Sequence, residues 1–87
     1  MSMKEENTLK WVTSAHKLDD FRLELTFNDN KKVIVDCKPI IDKYKLFAPL
    51  KEKSVFDNFN LDGWTVTWLD GKIDIAPEYL YEVGKAV

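Results

Sequence analysis

The pattern of hydrophobic and polar positions predicts a β-hairpin in the first half of the chain. Residues 21–27 alternate between apolar and polar side chains, and two valines stand two positions apart within residues 32–36. A period of two is typical of a strand with one buried face. The connection 28–30 predicts a three-residue loop whose last residue, an asparagine, adopts the left-handed conformation. This loop places Leu25 opposite Val33, with both side chains on the core face.

A second hairpin is predicted near the C-terminus, where residues 64–69 alternate again. The dipeptide Asp70-Gly71 that follows is a preferred two-residue hairpin turn, because both positions require positive φ. The resulting register pairs Trp68 with Ile73. The same alternation directs Trp64 toward the core, although a tryptophan here also offers a stacking surface for nucleic-acid bases.

A less regular strand is predicted over residues 11–18, with a turn at Asp19-Asp20. A two-residue turn would set His16 opposite Leu23, near the core face. A single histidine in such a position is more typical of a structural residue than of a catalyst.

Short helical segments are predicted elsewhere. One begins at Pro39, since proline is tolerated in a first helical turn. Pro49 predicts a break, and Ser54 is positioned to cap a second short helix. A last helix begins at Pro77 and ends at Gly84. The apolar face of the first segment is predicted to comprise Ile40, Ile41, Tyr44 and Phe47.

Together these elements predict an α+β fold. It consists of an antiparallel sheet of four to five strands, with hairpins near 28–30 and 70–71, covered on one face by short helices. The chain has 87 residues, of which 45% are hydrophobic, and this length is sufficient for one small domain. We expect a disordered N-terminal tail over residues 1–8 and a single domain over residues 9–87.

Catalytic and metal-binding residue types are scarce. The chain has one cysteine, Cys37, and one histidine, His16, so a zinc site built from several such ligands within one chain is excluded. Three glycines are too few for a glycine-rich phosphate loop. We therefore predict no enzymatic activity, no catalytic residues and no cofactor, and we expect Cys37 to be a partly buried structural thiol.

The cellular compartment is predicted from similar observations. A lone cysteine fits a reducing cytoplasm. No apolar run approaches the roughly 18 residues that a membrane helix needs, and the chain does not begin like a signal peptide. We expect a cytoplasmic protein without membrane contact.

Charge is distributed unevenly along the chain. Residues 31–53 carry seven lysines and three acidic residues, a net charge of +4, whereas residues 1–30 carry −2 and residues 54–87 carry −4. Such lysines usually keep a protein soluble and pair with acidic segments, but they also offer a patch for phosphates or for an acidic partner. The candidate interaction lysines are Lys38, Lys43, Lys45 and Lys51.

Asp74 is a further candidate because strands disfavour aspartate. It lies within the predicted last strand, shortly before the helix that begins at Pro77. One interpretation is a structural carboxylate that accepts N–H groups at that helix. The alternative is a contact to a ligand or metal ion.

Two sequence frames resemble a known family. The first reads Asp20-Phe21-Arg22-Leu23 followed by Phe27-x-x-Asn30. The second and more specific one reads Trp68-x-x-Gly71-x-x-Asp74-Ile75-x-Pro77-x-x-Leu80-Tyr81. The chain resembles, over roughly residues 10–82, the small bacterial family of unknown function numbered 2442, although Asn30 replaces a glycine typical of the first hairpin.

The resemblance implies a fold but no activity and no catalytic residues. Some members of the family are accompanied by another small uncharacterised protein, which implies a partner encoded nearby. The biochemical function stays open. We favour a small non-catalytic binding or regulatory module that acts through a protein partner, using open sheet edges or forming a homodimer. The alternative is a nucleic-acid-associated accessory module that uses the lysines of residues 31–53, although nucleic acid is the less favoured partner.

Overall fold

The computed structural model describes residues 9–87, and the expected disordered tail over residues 1–8 lies outside the described residues. The strands are β1 (Val12–Lys17), β2 (Arg22–Phe27), β3 (Lys32–Asp36), β4 (Asn60–Leu61), β5 (Val66–Trp68), β6 (Ile73–Asp74) and β7 (Lys85–Ala86). The helices are α1 (Lys38–Lys43), α2 (Lys53–Phe56) and α3 (Pro77–Val83), with a 3₁₀ segment at Lys45–Lys51. This is the predicted α+β fold.

The larger sheet has four antiparallel strands in the order β1-β2-β3-β7. Its central hairpin confirms the prediction, because Leu25 pairs with Val33 and Asn30 adopts a φ of 70° at the end of the loop. Strand β7 was not predicted from the sequence. It is two residues long and pairs with β3 directly after α3 ends.

The predicted register of β1 is wrong by one residue. His16 pairs with Glu24 instead of Leu23, and its side chain is exposed. The turn contains three residues, 19–21, with Asp20 at a φ of 51°. Because side chains alternate between the two faces of a strand, one additional residue in the turn moves His16 from the core face to the outer face.

The second hairpin belongs to a separate three-stranded sheet in the order β4-β5-β6. The predicted pairing of Trp68 with Ile73 is confirmed. Asp70 and Gly71 have positive φ values, as the turn requires, and so does Leu69 with a φ of 54°. The added strand β4 is too short to produce an alternating pattern in the sequence.

Trp64 does not pack in the core, contrary to the prediction. Strand β5 begins only at Val66, because the Asp62 carboxylate accepts the N–H groups of Trp64 and Thr65 and holds them in a turn. The Trp64 side chain is 41% exposed. It stacks on Trp11, with ring centroids 5.8 Å apart and an interplanar angle of 18°.

The helix boundaries agree with three predictions and correct two. Pro39 and Pro77 lie in the first turns of α1 and α3, and Gly84 is the C-terminal cap of α3. Ser54 lies inside α2 and makes no capping hydrogen bond. Pro49 lies within the 3₁₀ segment and does not interrupt it.

Tyr44 also departs from its predicted place. Helix α1 ends before it, and Tyr44 takes an extended conformation that leads into the 3₁₀ segment. The helical spacing that would have turned Tyr44 inward is therefore lost, and 41% of its side chain is exposed. The other members of the predicted apolar face are buried: Ile40, Ile41 and Phe47.

A single hydrophobic cluster joins both sheets and the helices. Cys37 belongs to it and is fully buried, more deeply than predicted. None of the helices within residues 9–87 is long and apolar enough to cross a membrane.

Candidate functional site

An apolar groove opens between the 3₁₀ segment and the start of α3. Its volume is about 220 Å³, and its lining residues are Tyr44, Leu46, Phe47, Ile75 and Tyr79. We refer to these five residues as the apolar groove. The groove forms because the chain changes from α1 to a tighter 3₁₀ turn, which brings Leu46 to the surface beside Tyr79.

Leu46 is the most exposed side chain of the apolar groove. It is 66% exposed, whereas Phe47, the next residue, is buried beneath it. Single exposed leucines are common on protein surfaces and need no explanation. Leu46 differs from such a residue because it is exposed together with Tyr44 at the border of an apolar depression.

The candidate lysines fall into two groups. Lys43 and Lys45 flank Tyr44 in the apolar groove, and the Nζ atom of Lys43 lies 5.5 Å from the centroid of the Tyr44 ring. Lys38 and Lys51 line a different depression of about 230 Å³, which also contains the carboxylate of Asp42. The structure therefore does not bring the four predicted lysines into one patch.

Asp74 lies next to the groove residue Ile75, and its side chain is exposed. Within residues 9–87 no side-chain hydrogen bond caps α3, so the interpretation that the Asp74 carboxylate accepts N–H groups at the start of this helix is wrong. The alternative prediction of a metal contact receives no support within residues 9–87, where no group of three potential ligands lies together.

Cys37 and His16 do not form a nucleophile and base. Burial, aided by the nearby Asp36 carboxylate, raises the pKa of the Cys37 thiol to about 12. His16 is exposed on the outer face of the larger sheet, opposite Glu24. A thiol with this pKa supplies almost no thiolate at neutral pH, and the thiolate is the nucleophile in cysteine chemistry.

The carboxylates with lowered pKa values stabilise the fold. The pKa of Asp62 is lowered by the backbone N–H groups of Thr65 and Trp64. Burial acts to raise the pKa of Asp57, but Lys53 and Lys17 outweigh it and leave that pKa lowered. Each of these shifts is explained by a partner within the fold, so none requires a ligand.

Sequence reasoning identified the flanks of the apolar groove but not the groove itself. Lys43 and Lys45 are candidates because of their charge and Asp74 because strands disfavour aspartate, whereas Leu46 and Tyr79 are not candidates. The only signal in the sequence was that Leu46 falls outside the helical apolar spacing that begins at Ile40. The position of Leu46 indicates a groove only in the folded structure, where Tyr79 of α3 lines the same depression.

The fold and the groove define a small α+β domain with an apolar depression on its surface. The chain belongs to the family described as "Protein of unknown function (DUF2442)", whose model matches residues 12–86. No curated protein and no solved structure matches the chain significantly.

Proposed function

We propose that the protein is a non-catalytic module that binds another protein through the apolar groove. The observation that carries the proposal is Leu46, 66% exposed at the border of a depression with apolar walls. When a partner removes this side chain from water, the free energy of the complex falls by about 25 cal/mol for each Å² of apolar surface that becomes buried.

The composition of the apolar groove supports a protein partner rather than a small polar substrate. Two of its five residues are tyrosines, and tyrosine is enriched at protein interfaces because it combines a large apolar ring with a polar hydroxyl. Ordinary small-molecule sites have convergent polar groups that fix the ligand's orientation. A groove of this kind fits an apolar side chain presented by a protein.

The properties of Cys37 and His16, the two side chains most suited to catalysis, also support a binding role rather than an enzymatic one. The Cys37 thiol has a raised pKa of about 12, and the His16 imidazole lies on another face of the larger sheet. If the protein has a regulatory role, it would control the partner protein by binding it through the apolar groove or by releasing it. A cytoplasmic location, expected from the sequence, and a partner encoded nearby, implied by the family resemblance, belong to the same proposal.

The test compares proteins that are cross-linked to the tagged chain in its native host. Leu46→Glu places a charge in the apolar groove, and because Leu46 is largely exposed the fold should be retained. Leu9→Glu is the matched control, since Leu9 is also exposed and lies outside the groove. We expect proteins that are captured by the wild type and by Leu9→Glu but lost with Leu46→Glu. The same set of proteins captured by all three would contradict the proposal.

A further inference from the structure

A second depression, which we call the edge cleft, opens at the edge of the larger sheet between α1 and α3. Its volume is about 590 Å³, against about 220 Å³ for the apolar groove. Ordinary ligand pockets measure roughly 300–1,000 Å³. The lining combines three charged residues with an apolar wall: Arg22, Asp36 and Lys85, and Ile34, Ile40 and Val83.

The edge cleft exists because β7 is shorter than β3. Strand β7 pairs with β3 only as far as Ile34, whereas β3 continues to Asp36. Main-chain groups along a strand point alternately to its two neighbours. The Lys32 carbonyl accepts the N–H of Val87 on the β7 side, so the N–H of Asp36, an even number of residues later, points to the same side. This N–H forms no hydrogen bond within residues 9–87 and is a donor at the cleft.

Strand pairing brings the three charged residues together on the outer face of the larger sheet. Arg22 lies directly opposite Asp36 on the neighbouring strand, and Lys85 lies directly opposite Ile34. Directly opposite residues have Cβ atoms about 4.5–5.5 Å apart, and Ile34 and Asp36, two positions apart, share a face. The edge cleft therefore has two cations beside one carboxylate.

Each of these charged groups retains hydrogen-bonding capacity. One carboxylate oxygen of Asp36 accepts the N–H of Lys38 over 3.1 Å, and the other accepts no hydrogen bond within residues 9–87. The Nε and Nη2 atoms of Arg22 donate to Asp19, which leaves Nη1 without a partner among the described residues. Lys85 is exposed and forms no ion pair in the same part of the chain.

We infer that the edge cleft binds a small zwitterion of the amino-acid class with an apolar side chain. The ligand's carboxylate is bound by Lys85 and by Nη1 of Arg22, and its ammonium group donates to the second oxygen of Asp36. The ligand's side chain packs against the apolar wall. This site is distinct from the apolar groove, with which it shares Tyr79 alone.

The two signs of charge, so close together, select this class of ligand. A simple carboxylate would lie beside Asp36, and a simple amine would lie beside two cations, so that like charges would oppose binding. The two ends of a protein chain each carry one of the two main-chain charges. A free amino acid carries both on a single carbon, and its apolar side chain is removed from water in the cleft.

The first experiment titrates the ¹⁵N-labelled full chain with L-leucine and follows the main-chain amide signals by NMR. We expect saturable shifts that include the amide of Asp36, with a Kd at or below about 1 mM. The absence of saturable shifts with about 10 mM L-leucine, a concentration that reveals even weak binding, would overturn the inference.

Three further probes each lack one feature of L-leucine. N-acetyl-L-leucine has no ammonium group, L-leucinamide has no carboxylate, and glycine has no apolar side chain. Each should bind at least about tenfold more weakly, since a charged group of the cleft or its apolar wall is then left without a partner. If N-acetyl-L-leucine or L-leucinamide binds as tightly as L-leucine, the cleft recognises a single charge and not a zwitterion, which contradicts the inference.

Substitutions in the cleft test the assigned contacts. Asp36→Asn and Lys85→Gln should each weaken L-leucine binding at least about tenfold. Glu52→Gln and Lys72→Gln are the matched controls, because they remove the same charges at exposed positions outside the edge cleft. Equal losses in the controls would show that net charge governs binding and would overturn the assignment.

Asp36→Asn also has an effect that loss of folding cannot produce. It removes the carboxylate that repels N-acetyl-L-leucine, while the asparagine oxygen can still accept the N–H of Lys38. N-acetyl-L-leucine should therefore bind more tightly to Asp36→Asn than to the wild type. A weaker or unchanged affinity would show that Asp36 does not face the ligand.

Leu46→Glu separates this ligand site from the proposed function. Leu46 lines the apolar groove and not the edge cleft, so L-leucine binding should stay unchanged whether or not the variant loses host proteins. If Leu46→Glu abolishes L-leucine binding and Asp36→Asn does not, the ligand occupies the apolar groove and the edge cleft is not its site.

Discussion

The indole nitrogen of Trp68 donates a hydrogen bond to the main-chain carbonyl of Phe56 over 2.8 Å. The two aromatic rings are also stacked, with centroids 5.7 Å apart. Trp68 lies on β5 and Phe56 ends α2, so this pair attaches the smaller sheet to the helical layer. Both side chains are fully buried.

Trp68→Phe should lower the free energy of unfolding by about 2–4 kcal/mol, because it leaves a cavity and an unpaired buried carbonyl. The measurement is urea unfolding followed by circular dichroism. Trp64→Phe is the matched control, since Trp64 is half exposed and its indole nitrogen makes no hydrogen bond within residues 9–87. Its effect should stay below about 1 kcal/mol. Equal losses for both variants would contradict the anchoring role of Trp68.

Gly84 ends α3 against β3 with no space for a side chain. A Cβ atom at this position would lie 2.6 Å from Cγ2 of Val33. We expect Gly84→Ala to lower the free energy of unfolding by about 1–3 kcal/mol through overpacking. Gly71→Asn is the control, because Gly71 has open space around it and asparagine tolerates its positive φ. A neutral Gly84→Ala would show that β7 shifts without cost.

Cys37 should react slowly with thiol reagents in the folded protein. Its side chain is fully buried, and burial raises the pKa of the thiol to about 12. We expect the rate of reaction with a disulfide reagent at pH 8 to be far below that of a cysteine in a short peptide, and to reach the peptide rate in denaturant. A folded-state rate above the peptide rate would indicate an activated thiol instead.

The Tyr81 hydroxyl donates a hydrogen bond to the carboxylate of Asp29 over 2.7 Å. This hydrogen bond is the main cause that lowers the pKa of Asp29 below its ordinary value of 3.8. A carboxylate with a depressed folded-state pKa stabilises the fold above its unfolded-state pKa, and this stabilisation is lost as the pH falls through the folded-state pKa. Acid should therefore weaken the fold progressively below pH 3.8.

Tyr81→Phe should flatten the fall in the free energy of unfolding as the pH is lowered from about 5 to about 2. The measurement is a series of denaturant titrations over that pH range. Tyr79→Phe is the matched control, because the Tyr79 hydroxyl makes no hydrogen bond within residues 9–87. Identical pH slopes for the wild type and Tyr81→Phe would show that this hydrogen bond does not hold Asp29 in its charged form.

Both predicted hairpins formed because their signals are local. Asn30 and Asp70-Gly71 supply the conformations their turns require, and the flanking alternation agrees with each register. The predicted register of β1 is wrong because the chain near Asp19-Asp20 is compatible with a loop of either two or three residues. Only the pairing with β2 selects the longer one, and that pairing is not visible in the loop itself.

The apolar groove could not be predicted because it depends on two distant segments. A helical period places Tyr44 inward, whereas the actual change to a 3₁₀ turn exposes Tyr44 and Leu46. The opposite wall comes from Tyr79, more than 30 residues further along the chain. Charge, by contrast, can be read from the residue type alone, so the sequence does identify Lys43 and Lys45 beside Tyr44 as candidates.

The placement of the lysines also bears on nucleic-acid binding. Lys38 and Lys51 share a depression with Asp42, whereas Lys43 and Lys45 neighbour the groove residue Tyr44 in the chain. The only arginine, Arg22, forms an ion pair with Asp19, with its Nη2 nitrogen 2.6 Å from a carboxylate oxygen. Arginine is the preferred residue for phosphates and guanine edges, so the basic residues of the described part of the chain form no continuous phosphate track.

We therefore expect weak binding to DNA or RNA at low salt and none near physiological ionic strength. Each lysine that neutralises a phosphate releases a counterion, so binding that relies on scattered lysines falls steeply as salt rises. The measurement is a gel shift with random-sequence DNA and RNA at low salt and at about 150 mM, where exposed charges are screened over about 8 Å. Lys43→Glu/Lys45→Glu and Lys38→Glu/Lys51→Glu should weaken the low-salt binding to a similar extent, because neither pair forms a dedicated site. Tight retention at the higher salt that only one pair of substitutions abolishes would instead assign a nucleic-acid site to that pair.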